Sequence, residues 1–398
     1  MSGLFTSERV VPLRPERVLG IVDDHHREEA ERSRITIPYG TLSVRQLMAL
    51  AEIAERHGEG RARFTARQDV RFEAASPAAA PAILAALAEV GLGPLAAEGG
   101  DLHVVTTDPH AGAAHGEVED PRPWCALVRR WLAVQPALAR LPRGLRIMVT
   151  ASPLPAGTAM RSQDLVLVLK RDEAGTLGFT ALLGGTSGAG GTIRAFLPAD
   201  ELLAYAAALV RVYDRFTRWG RDHKARIRIL AHELGAAGFA RLVEAEHAAG
   251  EPVGNPAPWA EELARSRDRF APPPWEALAD VDALHDQRVL AVEAFGRWVW
   301  HSTARHKVPG YSIVTVPLQP AGGVPGEATA EAMRALAELA EEFGHGELRV
   351  TRARSLVLPH VRKRDLFAIW HLLDDVGLAS LDRGPMAETV RRRELPSA

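Results

Sequence analysis

The chain has 398 residues, is 46% hydrophobic and 25% charged, and carries a formal net charge of -2 at pH 7. That is enough chain for roughly two or three domains of ordinary globular composition. The charge balance excludes a whole-chain attraction to nucleic acid or to an anionic membrane, so any anion site must be a local basic cluster. A single cysteine, Cys125, excludes an internal disulfide and a four-cysteine metal or iron-sulfur site built from these residues alone.

In chain order, the first 33 residues are polar and charged and read as an arm, without the basic start and apolar run of a secretory signal. RITIPYG (34–40) reads as a strand. The stretch at 50–94 reads as a helix, a Gly-x-Gly turn at Gly58 and Gly60, two short strands, a second helix and a closing Gly-Leu. Within it FTARQDVRFE (64–73) reads as a strand of period two, which places Phe64, Ala66, Val70 and Phe72 on one face and Thr65, Arg67, Asp69 and Arg71 on the other. LRIMVTAS (145–152), DLVLVLK (164–170) and GFTALLGG (178–185) read as buried strands of a separate α/β unit, and 198–220 as a long helix. HKARIRILAHELG (223–235) reads as a basic loop entering a helix near Ile229. Residues 250–290, with EPVGNPAPW and RFAPPPW, read as an extended proline-rich linker. YSIVTVPLQ (311–319) reads as a strand before the last large unit.

That last unit, 336–380, aligns with 50–94 without a gap, Gly344 and Gly346 matching Gly58 and Gly60. The repeat predicts two small α+β modules packed side by side into one sheet system. Two helices cover one face of each, and the other face needs a cover. Thr351 matches Thr65, but Ala353 stands where Arg67 does, so the first copy has a cation that the second lacks.

Several residue groups invite chemistry. Arg67 suits an oxyanion because its planar fork donates twice; beside Asp69 it reads equally as a salt-bridged strand arginine. Lys224, Arg226 and Arg228 gather cations in one stretch, or form a helix face balanced by Asp222 and Glu233. GGTSGAGG (184–191) brings backbone N–H groups to carboxylates or phosphates, or is a surface loop; it lacks the dinucleotide fingerprint. His25, His26, His110, His115, His301 and His306 follow no metal-ligand spacing and read as surface or supporting residues, so no metal site is expected. Cys125 reads as a buried thiol on the apolar side of a helix.

In their shared order, the strings IPYGTLSVRQLMALAEIAERHGEGRARFTARQDVRFE, TTDPHAGAAHGEVEDPRPWC, LPRGLRIMVTASP, GFTALLGG, HKARIRILAHELG and HKVPGYSIVTVPLQPAGGVPGEATAEAM with GELRVTRARSLVLPHV resemble the siroheme-dependent sulfite and nitrite reductases, over about residues 35–380. The resemblance implies an α+β fold: two ferredoxin-like half modules related by a pseudo-twofold repeat, with one intervening α/β siroheme-type domain. The division it suggests is an arm (1–33), a first half module (34–105), the siroheme-type domain (106–250), a linker (251–295), a second half module (296–383) and a tail (384–398).

It further implies that Arg67, Arg226 and Arg228 face the substrate, and that Gln68, His103, Lys224, Gly184, Gly185 and Thr351 border the cofactor. His103 falls where the family usually supplies an arginine, and Arg354 and Ser355 replace its usual Gln-Asn pair. The cysteine-bearing domain that holds the family's 4Fe-4S cluster has no counterpart here, so no cluster is expected in this chain. The implied activity is a six-electron reduction of sulfite or nitrite, the two being indistinguishable here, by a component inactive alone. Siroheme would be shared with a cysteine-bearing cluster subunit, electrons would come from a ferredoxin-type donor, and neither nucleic acid nor membrane would take part, in the cytoplasm. The alternative is a non-catalytic scaffold or tetrapyrrole-binding homologue that has lost the redox centre.

Overall fold

The computed structural model describes residues 35–72, 75–93, 104–135, 144–151, 162–184, 191–219, 227, 233–250, 257–319 and 323–380. The first repeat opens with two short strands, β1 (Ile35–Thr36) and β2 (Thr41–Ser43), and then α1 (Val44–His57). Leu47, Leu50, Ala51 and Ala54 of α1 form the stripe that helical spacing demands, and all are buried. Ser43 caps α1: its hydroxyl accepts the Gln46 amide at 3.2 Å, and Gln46 Oε1 accepts the Ser43 amide at 3.0 Å. β3 (Arg61–Phe64) and β4 (Asp69–Arg71) follow as an antiparallel hairpin, and α2 (Ala80–Glu89) closes the repeat. The expectation of one strand over 64–73 is corrected here. Thr65 and Asp69 close a tight turn through the Thr65 amide and the Asp69 carbonyl at 2.9 Å, and Gln68 takes a left-handed φ of 60°.

The middle unit is a five-stranded sheet in the order β5 (Val104–Thr107), β6 (Arg146–Thr150), β7 (Leu165–Arg171), β8 (Leu177–Leu183), β9 (Thr192–Pro198), parallel through β7 and antiparallel beyond. α3 (Arg122–Ala133), α4 (Leu202–Trp219) and α5 (Ala236–Ala248) share its main apolar core, which includes Trp131, Phe179 and Tyr205. The unit begins with β5, so a boundary between 105 and 106 would cut a paired strand. The expected linker is largely helical. α6 (Ala257–Arg269) is held by Arg267, which donates to Glu119 at 3.0 Å and lies over the Trp124 ring, and α7 (Ala283–Ala291) follows. Between these helices, 271–279, with its three consecutive prolines, runs without helix or strand.

The second repeat comprises α8 (Glu293–Ser302), β10 (Thr303–Arg305), β11 (Tyr311–Pro317), β12 (Glu327–Thr329), α9 (Ala330–Phe343), β13 (Glu347–Val350), β14 (Ser355–Arg362) and α10 (Leu366–Asp375). Its backbone reproduces the first copy: Gly40 and Gly326, Glu59 and His345, and Gln68 and Arg354 all have positive φ. The two copies lie side by side as two sheets, each completed by the other repeat. β12 pairs with β3 (Ala328 opposite Ala62), and β2 pairs with β13 (Leu42 opposite Leu348). This exchange gives each β3-type edge a partner. It also lets α1 pack on α9 across a single apolar core that takes residues from both sheets. Each fully buried leucine there, such as Leu47 or Leu336, contributes about 1.5–3 kcal/mol.

The outer face of the second sheet is covered by the stretch between β5 and α3. Arg349 of β13 is 0% exposed and donates to the Ala111 carbonyl at 3.1 Å, and Ala113 packs on Ile313 and Val357. Glu347 pairs with Arg349 and accepts from Arg122 at 2.7 Å, and Arg122 is also clamped by Asp120. Of the two readings left open for His306, surface or supporting, its burial excludes the first: Trp275 lies edge-on to it, and its Nε2 is 3.0 Å from Nδ1 of His360. Burial pushes the His306 pKa down to about 4. Among the described residues no helix is long and apolar enough to cross a membrane.

Candidate functional site

The turn after β3 places Gln68 where three units meet. Its side chain is 1% exposed, and Nε2 donates to the Val350 carbonyl of β13 at 2.8 Å and to the Thr107 carbonyl of β5 at 3.4 Å. Gly40 is required beside it, because a Cβ there would stand 2.8 Å from both Gln68 Nε2 and the Val350 oxygen. Oε1 of Gln68 is buried without a hydrogen-bond partner among the described residues. Such an acceptor costs about 1–3 kcal/mol unless a donor reaches it.

Arg67 precedes Gln68 and is half-buried; its amide donates to Thr65 Oγ1 at 3.1 Å, a backbone contact that helps to hold the turn. The Thr65 hydroxyl donates to Asp69, which is 5% exposed. Burial raises the Asp69 carboxyl to about 6, against the lowering effects of the Thr65 hydrogen bond and of the Arg71 and Arg67 charges.

The same turn recurs after β13. The Thr351 amide donates to the Ser355 carbonyl at 2.9 Å, and Thr351 Oγ1 accepts the Ser355 amide at 3.0 Å. Thr351 therefore holds its turn as Thr65 does. The second copy does supply a cation, one position before Ala353: Arg352 is half-buried, donates to Ser162 Oγ, and has its pKa lowered by burial. Next to Ser162 lie Gln163, whose buried Oε1 has no partner among the described residues, and Asp164, whose carbonyl accepts the Gly184 amide at 3.2 Å. Arg354 packs against Gly326 beside the Phe64 carbonyl, the pseudo-symmetric counterpart of Gln68 against Gly40.

The structure thus gathers the Arg67–Gln68 turn and the Thr351–Arg354 turn at one junction, with Ser162 and Gly184 reached through Arg352. His103, Gly185, Lys224, Arg226 and Arg228 lie outside the described residues; of HKARIRILAHELG only Ile227, which is buried, and 233–235 are described. Arg352 escaped the sequence reading because matching column by column set Ala353 against Arg67 and passed over its neighbour. Four arginines (67, 71, 352 and 354) and one carboxylate of raised pKa make the junction suited to an anionic, multiply carboxylated group or a small oxyanion. It suits siroheme in that sense, through its cations.

A 4Fe-4S cluster is a different matter. Cys125 is wholly buried in α3, with Sγ 3.7 Å from the Thr106 carbonyl, and burial pushes its thiol pKa up. Such a cluster takes four thiolates and the chain has one, so these residues do not fit it. Among the described residues no group of three or more His, Cys, Asp or Glu is arranged to hold a metal ion.

Two family models match the chain: the nitrite/sulfite reductase ferredoxin-like half domain over 32–90 and 305–376, and the nitrite and sulphite reductase 4Fe-4S domain over 98–250. Similar proteins include the chloroplastic ferredoxin–nitrite reductase of Arabidopsis thaliana, 26% identical over 82% of this chain and 51% of that one. The ferredoxin–nitrite reductase of Leptolyngbya laminosa is 27% identical over 81% of this chain and 57% of its own. The structure of the Mycobacterium tuberculosis NirA protein superposes with a TM-score of 0.62 at 23% identity, over 87% of this chain and 56% of that one, and supports the fold. The chain spans about half the length of the curated relatives it matches, and by these matches it belongs to the siroheme-type nitrite and sulfite reductase family.

Proposed function

We propose that this chain is a component of a siroheme-type sulfite or nitrite reductase, supplying the cations that face the cofactor and the oxyanion, while a second chain supplies the cluster thiolates. The observation that carries the reading is the meeting of both repeats and β5 at Gln68, flanked by Arg67 and Arg352. Siroheme, when bound, supplies the iron at which the oxyanion is reduced. The chain's own contribution is electrostatic and positional. Arg67 and Arg352 neutralise carboxylates or the oxyanion, and Gln68 locks the two repeats to the α/β unit so that those charges keep their places. Arg226, Arg228 and Lys224 belong to the same proposal as further cations, with a ferredoxin-type protein as electron donor.

The test is Arg67→Ala in the complex purified from the native host. Ala keeps the amide that donates to Thr65 Oγ1, so the turn should persist and the unfolding midpoint should change little. Loss of one charge-assisted contact, about 1.5–3 kcal/mol, should weaken sulfite or nitrite binding, read as a spectral titration, by about tenfold or more. Unaltered binding, or a variant that unfolds, would remove Arg67 from the site and favour the scaffold reading.

A further inference from the structure

Tyr39, in the turn between β1 and β2, has φ 56° and ψ 18°. A bulky side chain rarely takes that left-handed conformation, and it persists only where its surroundings enforce it. The repeat itself does not ask for it. The other described non-glycine residues of positive φ come as matched pairs, Glu59 with His345 and Gln68 with Arg354, whereas the residue before Gly326, matching Tyr39 before Gly40, is Pro325, whose ring fixes a negative φ. What enforces it is the α/β unit. Ile35, Ile37 and Leu42 on either side lie in the core of the repeats, but the Tyr39 ring, 5% exposed, lies in the core of the α/β unit. There it meets the Phe270 ring edge-on at 6.0 Å, and the Arg129 guanidinium of α3 lies 5.9 Å from its centroid. Phe270, which follows α6, is in turn covered by Arg122, at 4.9 Å.

The strained residue also adjoins the candidate site. Its neighbour Gly40, with φ 68°, lies so close to Gln68 Nε2 and the Val350 carbonyl that no Cβ fits between them. We propose that Tyr39 is a positioning residue for the oxyanion site: its ring, seated in the α/β unit, holds Gly40 against Gln68 and so fixes the Arg67–Gln68 turn relative to that unit. This deepens, and rests on, the reading that the turn meets the oxyanion. The ring is the part that acts, since it alone crosses from one core to the other. A left-handed glycine at position 39 would relieve the strain but lose the anchor, and a cation displaced from its productive place by even a fraction of its length loses much of its hold on an anion.

The test compares Tyr39→Gly, which loses the ring, with Tyr39→Phe, which keeps it, and with Leu336→Ala, a cavity in the core of the repeats. Hydrogen exchange of the full chain, read by mass spectrometry, comes first. In Tyr39→Gly the 65–69 turn should exchange about tenfold faster or more while α1 and α9 keep their protection; in Tyr39→Phe the turn should be unchanged. In the complex from the native host, a spectral titration with nitrite should then show about tenfold weaker binding for Tyr39→Gly, and binding within about twofold of the natural protein for Tyr39→Phe and for Leu336→Ala, although the latter is less stable. If Tyr39→Gly does not fold, Phe270→Ala, which removes the partner of the ring, should loosen the same turn. Unchanged exchange of the turn, loosening spread evenly over α1 and α9, or nitrite affinity that ignores Tyr39→Gly would overturn the proposal. The two readings fail separately: a turn loosened as expected in a complex that binds neither nitrite nor sulfite sinks the functional reading, and a complex that binds nitrite equally well with and without the ring sinks only the role of Tyr39.

Discussion

Replacing Asp69 by Asn should stabilise the protein at neutral pH. The carboxyl lies at the start of β4, 5% exposed, and its pKa rises from the ordinary 3.8 to about 6 because burial outweighs the Thr65 hydrogen bond and the Arg71 and Arg67 charges. Between those values the folded chain binds a proton that the unfolded chain has released. The protonated carboxyl's contribution is therefore fully present below pH 3.8 and is lost as pH rises through 6. Two units at about 1.4 kcal/mol each make that loss about 3 kcal/mol. Asn stays neutral and keeps an acceptor for Thr65, so Asp69→Asn should gain about 2 kcal/mol over the natural protein at pH 7.5 and almost nothing at pH 4. Urea unfolding of both proteins at several pH values measures this, with the m-value checked for constancy. Burial also raises Glu117, to about 7, but it titrates alike in both proteins and cancels from the difference. A variant no more stable at pH 7.5 than at pH 4, relative to the natural protein, would refute the reasoning.

Two glycines of the repeat should respond differently to Ala. At Gly326, with φ of 91°, the new Cβ would press into the Phe64 carbonyl oxygen, and the loss should exceed about 3 kcal/mol; at Gly60 there is open space, and only the left-handed strain of about 1 kcal/mol remains. Equal losses in urea unfolding would contradict the strand exchange that brings Gly326 against β3. Cys125 should resist a thiol reagent in the native protein and react only on unfolding, since it is wholly buried. Labelling within minutes under native conditions would mean that α3 is not packed as described.

The repeat was legible because identical spacing of helix, Gly-x-Gly and strand leaves a direct imprint on sequence, and the buried stripes of α1 and α9 follow it. The exchanged strands were not. β2 and β12 are three residues each, too short for a period, and their partners lie in the other repeat. The turn inside 64–73 was hidden by a period-two pattern that runs on through it. The signal that marks it is the pairing of a Thr with an Asp or Ser four residues on, Thr65 with Asp69 and Thr351 with Ser355. Burial of His306 was not legible because its covers, Trp275 and the stretch around Ala114, come from remote parts of the chain. At the candidate site, Arg67 and Gln68 are proposed from resemblance, whereas Arg352 needed three dimensions, since only its reach to Ser162 sets it apart from any other turn arginine.

The central claim is that the junction at Gln68 serves a tetrapyrrole and an oxyanion. An absorption spectrum of the complex purified from the native host tests it most directly, recorded with and without sulfite or nitrite, every chain being identified by mass. The expected result is a tetrapyrrole band in proportion to this chain, shifted by one of the two anions, together with a co-purifying chain that carries the cluster cysteines. A colourless complex, or a band unmoved by either anion and unaffected by Arg67→Ala, would contradict it.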